Sequence, residues 1–181
     1  MNISPRHLYL IRHCAAAGQE PDAPLTDAGQ RQAVALADVL AAAEIDRIVS
    51  SPFRRARDSI APLAQRAGIT IDIDDRFAER VLGSGFDDWR SALRATFDDP
   101  NLCFEGGESS AIALARGVAA LQDALDAGSV TAVVTHGNLL ALLLRHFDPH
   151  VGYAEWEGLT NPDVYRVTAT DGGGVTERIW H

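Results

Sequence analysis

The chain has 181 residues, 46% hydrophobic and 23% charged, and a formal net charge of −9. That composition fits one ordinary globular domain spanning residues 1–181, and the acidic balance excludes nucleic acid or an anionic membrane surface as the main partner. The two cysteines, Cys14 and Cys103, make no disulfide framework. No run approaches the length of a membrane span and the N-terminal stretch has no secretory pattern, so a reducing cytoplasm is the expected location. All 16 basic side chains are Arg, which fits genomic composition bias better than function.

The first element is the apolar run Leu8-Tyr9-Leu10-Ile11, an unbroken pattern expected of a strand covered on both faces. It ends in Arg12-His13, and a loop rich in Ala, Gly, Pro and Asp carries the chain to Leu25. Thr26 is placed to cap a helix from about Asp27 to Ala43, with Val34, Leu36, Ala37 and Leu40 on one face. Arg47–Ser50 reads as a second strand. Pro52 suits the first turn of a helix running to Ala67 and stopped by Gly68, and Pro62 inside it predicts a kink or two pieces. A short strand over Ile69–Ile73 follows.

Residues 80–107 are the least regular region, with a helix expected from about Phe86 to Phe97. A helix from about Ser109 to Ala127 ends at Gly128. Val130–Thr135 reads as a buried strand and Asn138–Phe147 as an apolar helix. Val164–Ala169 and Val175–Trp180 look like final strands joined by a turn at Asp171-Gly172-Gly173-Gly174. This alternation predicts an α/β fold in three layers, with a mostly parallel central sheet and helices on both faces.

Parallel strands bring their carboxyl ends to one sheet edge, where ligands bind. The first strand delivers Arg12 and His13. The second runs into Ser50-Ser51-Pro52-Phe53-Arg54-Arg55, and the fourth ends in Thr135-His136-Gly137-Asn138. Two histidines and two arginines would face one crevice beside two helix N-termini, and like charges gather there only around an anion. The expected guest is a phosphoryl group.

In these residues the chain resembles the histidine phosphatase superfamily, which has the phosphoglycerate-mutase-like fold. The Arg-His-Gly motif of that family stands here as Arg12-His13-Cys14. Its Leu-Thr-x-x-Gly-x-x-Gln-Ala segment is Leu25 to Ala33, and its Ser-Ser-Pro-x-x-Arg-Ala segment is Ser50 to Ala56. The family acid matches Glu79, Gly-Glu-Ser matches Gly107-Glu108-Ser109, and the second histidine matches His136. The matches run in order from residue 8 to about 145. Cys14 in place of Gly, Ala78 in place of a common Arg, and a short loop before Leu25 depart from the pattern. Gln19 stands where a phosphate-touching Asn is frequent.

The resemblance implies a phosphatase that needs no cofactor or metal and acts on a small phosphorylated molecule. His13 would attack phosphorus and form a phosphohistidine. Arg12, Arg55 and His136, with Gln19 and Gly137, would bind the phosphoryl oxygens. Glu79 would protonate the leaving oxygen and then activate water, a role that requires a protonated carboxyl in the first step. Glu108 is the second candidate for that acid, disfavoured because a carboxylate opening a helix is held as an anion. Residues 80–107 would form a lid-like insertion, with Trp89, Phe86 and Phe97 either lining it or packing it down.

Other readings compete. His13-Cys14 followed by Glu20 mimics the His-Cys-x5-Arg loop of tyrosine phosphatases, but an acid stands where that loop needs Arg. A mutase needs more basic groups than Arg80, Arg90 and Arg94 between Glu79 and Glu108. A phosphohistidine-protein phosphatase would tend to lack the acid, and a non-catalytic phosphate-binding module leaves the retained constellation unexplained. His146 and His150 are four apart, but Pro149 breaks the helix that would align them on a metal.

Overall fold

The computed structural model describes residues 7–127, 130–170 and 173–180. The expected stop at Gly128 and the Asp171-Gly172 half of the last turn lie outside the described residues. Six strands form one sheet in the order β3-β2-β4-β1-β5-β6. They are β1 (His7–Arg12), β2 (Arg47–Ser50), β3 (Ile71–Ile73), β4 (Val130–Thr135), β5 (Asp163–Thr170) and β6 (Gly173–Arg178). The first four run parallel, and β5 and β6 add an antiparallel edge. The central position of β1 and β4 explains their continuous apolar runs. Leu8 and Leu10 enter the core on one face of the sheet, and Tyr9 and Ile11 enter the core on the other.

Helices α1 (Asp27–Leu40) and α2 (Arg54–Ala67) cover one face, packing Leu36, Leu40, Ile60 and Leu63 against Ile11 and Ile48. The opposite face is covered by α3 (Trp89–Asp98), α4 (Ser110–Ala127) and α5 (Gly137–Phe147), through Leu93, Leu121 and the leucines 139–144. Burying each such side chain stabilises the fold by roughly 1.5–3 kcal/mol, so these two layers fix the sheet edge on which the site is built.

Thr26 caps α1, its hydroxyl accepting from Gly29 N at 3.0 Å. Gly29 itself is required by crowding, since a Cβ there would stand 2.0 Å from the carbonyl oxygen of Ala15. That contact packs the start of α1 against the loop leaving β1.

Several boundaries differ from expectation. The α1 helix ends at Leu40, and residues 41–43 tighten into a 3-10 turn. Despite Pro62, α2 is one piece; the proline forfeits only the bond its N–H would have made to Asp58. A 3-10 turn over Asp75–Phe77 and a short helix, α6 (Tyr153–Glu157), had no periodic signal long enough to announce them. Among the described residues, no helix is long and apolar enough to cross a membrane.

Candidate active site

The parallel neighbours β2, β4 and β1 deliver their carboxyl ends side by side, with Arg12 opposite Thr135 and Ser50 opposite Val134 in the ladders. His13 follows β1. Its amide donates to Thr135 O at 3.1 Å, and its carbonyl accepts from the Asn161 side chain at 2.8 Å. The ring is fixed too. Nδ1 lies 2.7 Å from Cys14 O, and a carbonyl can only accept, so Nδ1 carries the proton and Nε2 holds the lone pair. Arg55 Nε donates to that lone pair at 3.1 Å. Arg55, 2% exposed in the first turn of α2, is held by Nη1 bonds of 3.0 Å to the carbonyls of Gln19 and Glu20. Its guanidinium also stacks on the Phe53 ring at 4.9 Å.

His136, the residue before α5, is completely buried and lies 2.7 Å through Nε2 from Ser51 Oγ. Ser51 Oγ also accepts from Phe53 N at 3.3 Å, and keeps a proton and a second lone pair for the ring, while His136 Nδ1 is buried without a partner. The His13 and His136 rings meet edge to face at 5.1 Å. Arg12 lies across Gly137, where a Cβ would stand 3.1 Å from the guanidinium carbon. Its Nη1 donates to Leu159 O at 3.0 Å, and its Nε is buried and unpartnered.

These groups are electrostatically matched to an anion. Burial, reinforced by the charges of Arg55 and Arg12 against an opposing bond to Cys14 O, depresses the His13 pKa to about 4. His136 is pushed well below the usual histidine range, again by burial first and then by His13, Arg55 and Arg12. Burial also lowers Arg12 and Arg55, opposed by Glu79, yet a guanidinium stays protonated. The crevice therefore holds two neutral imidazoles between two cations, with Arg12 Nε and His136 Nδ1 unpartnered.

Glu79 reaches the same place from the loop after the 3-10 turn. Thr135 Oγ1 donates to Phe77 O at 2.8 Å, and Arg116 Nη1 donates to the carbonyls of Arg76 and Ala78 at 2.6 and 3.0 Å. The carboxyl group sits on the N-terminus of α5. Its Oε2 accepts from Asn138 N at 3.0 Å, and its Oε1 accepts from Leu139 N at 3.0 Å and Arg80 N at 2.9 Å. Glu108 is committed elsewhere: Arg116 grips both its oxygens, at 2.7 and 2.8 Å. It thereby braces the segment carrying Glu79, and unlike Glu79 it lines neither of the two cavities described below.

A cavity of about 190 Å³ is bounded by Arg12, His13, Arg55, Glu79 and Asn161. An adjoining cavity of about 390 Å³ shares Arg12, Gln19, Glu79 and Gly137, then extends past Arg80 and Asn138 to Leu82, Leu93, Trp89 and Trp156. All seven site residues singled out in the sequence thus border one continuous space or, for the buried His136, abut it through His13. Gln19 contributes its backbone, since its carbonyl orients Arg55 while its side chain is exposed. Arg80, Asn138 and Asn161 were not singled out; each acts through contacts between segments far apart in sequence, and no local spacing marks them.

Cys14 is fully buried, its thiol pushed up to about 11 by burial, so it is a packed apolar group and the tyrosine-phosphatase reading fails. Trp89 is 48% exposed on the wall of the larger cavity, whereas Phe97 packs in the core. His146 lies in the last turn of α5 and His150 lies beyond it, and among the described residues no group of three or more His, Cys, Asp or Glu side chains could hold a metal.

A buried imidazole lone pair ringed by guanidinium groups at the carboxyl edge of an α/β sheet defines a phosphoryl-transfer site. The profile of the Histidine phosphatase superfamily (branch 1) matches residues 8–180, and the chain belongs to that superfamily. Together with the phosphatase relatives that follow, that membership makes it a phosphoric monoester hydrolase working through a histidine. A glucosyl-3-phosphoglycerate phosphatase from Mycolicibacterium vanbaalenii is 34% identical over 166 residues, covering 76% of this chain and 72% of that protein. The native structure of the mycobacterial glucosyl-3-phosphoglycerate phosphatase superposes with a TM-score of 0.77 at 25% identity, over 96% of each chain. YhfR of Bacillus stearothermophilus superposes with a TM-score of 0.78 at 25% identity, over 95% of each chain.

Proposed function

We propose that His13 is the histidine through which this phosphatase works, and that its substrate is a small phosphorylated molecule bound across the two adjoining cavities. The observation that carries the assignment is the His13 ring, neutral down to about pH 4 and fixed in the tautomer that leaves Nε2 free to attack. In the free protein Arg55 Nε occupies that lone pair. An incoming phosphoryl oxygen takes over the Arg55 donor and uncovers Nε2 for attack.

In the first step the Nε2–P bond forms as the bond from phosphorus to the ester oxygen breaks, and the departing oxygen takes a proton. In the second, water attacks phosphorus, the N–P bond breaks, and inorganic phosphate leaves. Arg12, Arg55 and the Nδ1–H of His136 hold the phosphoryl oxygens, their charge and dipoles fixed in advance. Gly137 lets Arg12 lie flat against the start of α5, and the Gln19 carbonyl orients Arg55. Glu79 delivers and later collects the proton. The substrate monoanion supplies that proton, which passes through Glu79 to the ester oxygen. The Nδ1 bond to Cys14 O steadies the positive charge that develops on the His13 ring.

Residues 80–107 act as a partial lid within a single domain, supported by Leu82, Trp89 and Leu93 on the wall of the larger cavity. Two free cysteines fit a cytoplasmic setting. The named relatives make glucosyl-3-phosphoglycerate the first compound to offer. The test is a panel of phosphate monoesters, including it, assayed in EDTA with wild type and His13→Ala. Turnover is expected in EDTA and is lost in the variant; turnover retained by His13→Ala overturns the assignment.

A further inference from the structure

The peptide linking His13 to Cys14 is pinned at both polar atoms by side chains from distant segments. Its oxygen, the His13 carbonyl, accepts from Asn161 Nδ2 at 2.8 Å, and its N–H, on Cys14, donates to Ser59 Oγ at 2.8 Å. The next carbonyl along, Cys14 O, is the one that holds His13 Nδ1. The orientation of this peptide therefore sets where the imidazole stands. Side chains complete it because the strand has ended. The ladder between β1 and β5 stops at the pair Arg12–Asp163, and the residue before Asp163 is Pro162, which has no N–H to extend it.

Each pinning residue is also tied to a phosphoryl-binding arginine. Ser59 follows Arg55 by one turn of α2, and its hydroxyl donates to the Arg55 carbonyl at 2.6 Å. Asn161 lies in the loop from α6 to β5, whose Leu159 and Thr160 carbonyls accept from Arg12 Nη1 at 3.0 and 3.4 Å. That loop is itself braced. Asp163, fully buried, accepts from Thr160 N at 2.9 Å and from Arg178 Nε and Nη2 at 2.9 and 2.5 Å, and Arg178 Nη2 also donates to Gly158 O at 3.2 Å. Taking these donors from a buried carboxylate is costly, which holds the loop in this arrangement.

We propose that Asn161 is a positioning residue, with Ser59 its counterpart from α2: together they hold the His13–Cys14 peptide so that Nε2 faces the phosphorus atom bound between Arg12 and Arg55. Asn161 borders the smaller cavity, but it acts through the His13 backbone. The inference rests on the phosphatase reading above, with His13 as the attacking group. Such alignment counts most in the transition state, because Arg12, Arg55 and His136 bind a phosphoryl group whether or not Nε2 is in line with it.

An aryl phosphate supplies kcat/KM, and two inhibitors separate binding from alignment. Inorganic phosphate needs only the groups that bind phosphoryl oxygens. Orthovanadate gains affinity by bonding in line to the attacking nitrogen, as in the transition state. In Asn161→Ala, kcat/KM and vanadate affinity are expected to fall together by roughly tenfold to a hundredfold, while inhibition by phosphate stays close to that of wild type. Ser59→Ala should show the same split, and it carries the test if Asn161→Ala does not fold. An unchanged kcat/KM in either folded variant overturns the proposal. So does equal weakening of phosphate and vanadate, which would make Asn161 a direct ligand of the phosphoryl group or a mere support of the fold. A wild type that fails to hydrolyse the aryl phosphate would instead strike the phosphatase reading.

Discussion

Replacing Glu79 by Gln keeps the size of the side chain and exchanges one acceptor oxygen for a donor. The native carboxyl group accepts three amides, two on Oε1 and one on Oε2. The glutamine therefore settles with its oxygen at the Oε1 position and its NH2 facing Asn138 N–H. One buried donor loses its acceptor, a cost of about 1–3 kcal/mol, which a domain of ordinary stability survives. The kinetic effect should depend on the leaving group. An alkyl oxygen departs only with a proton, so hydrolysis of an alkyl phosphate is expected to fall by about 10² to 10⁴-fold. An aryl oxygen departs readily as the anion, and its loss should be small. The assay is the wild-type to variant ratio of kcat for glycerol 3-phosphate and for an aryl phosphate, with thermal unfolding recorded beside it. Equal losses on both substrates would remove Glu79 from proton transfer and reduce it to a brace for α5.

In Gly137→Ala the new methyl stands 3.1 Å from the Arg12 guanidinium, so Arg12 must shift against its 3.0 Å bond to Leu159 O. Activity should fall roughly tenfold to a hundredfold while the unfolding midpoint stays within a few degrees, since alanine also favours the helix; an unchanged kcat/KM would contradict the packing. The acid limb of kcat/KM should lie near pH 4, where His13 takes up its proton, rather than near 6.5. Stability follows the same titration. The folded His13 pKa is below its unfolded value, so the unfolded chain binds the extra proton, and stability is lost as pH falls from about 6.5 through about 4. Denaturant titrations at pH 7 and pH 4 should differ by roughly 3 kcal/mol more in wild type than in His13→Asn, the value of a shift of this size; identical pH dependence would refute the burial of a neutral imidazole.

The strands were legible because β1 and β4 are buried on both faces and are mostly apolar, with Thr131 the one polar residue inside β4, and their sharp ends point directly to Arg12, His13 and His136. Thr26 and Gly68 announced helix limits through capping chemistry, and the structure places both at helix ends. What stayed hidden depends on contacts across the fold. Asn161 reaches the His13 carbonyl from 148 residues away, and nothing local distinguishes it from any loop asparagine. Arg80 adjoins Glu79 in the sequence, yet only its amide meets that carboxyl group, and its side chain turns inward to Thr96 and Asn138. The commitment of Glu108 to Arg116 spans eight residues, a contact that its place at the start of a helix does not announce. The α6 helix has five residues, too few for periodicity to register, although its Trp156 completes the cavity wall.

The central claim is that His13 carries the phosphoryl group between the two steps. Wild-type protein mixed with a radiolabelled monoester, quenched in base within one turnover and mapped by peptide, tests it directly. A single base-stable phosphate on His13 that chases to inorganic phosphate is the expected result. Covalent phosphate on any other side chain, Cys14 included, or none within the turnover, would contradict the account.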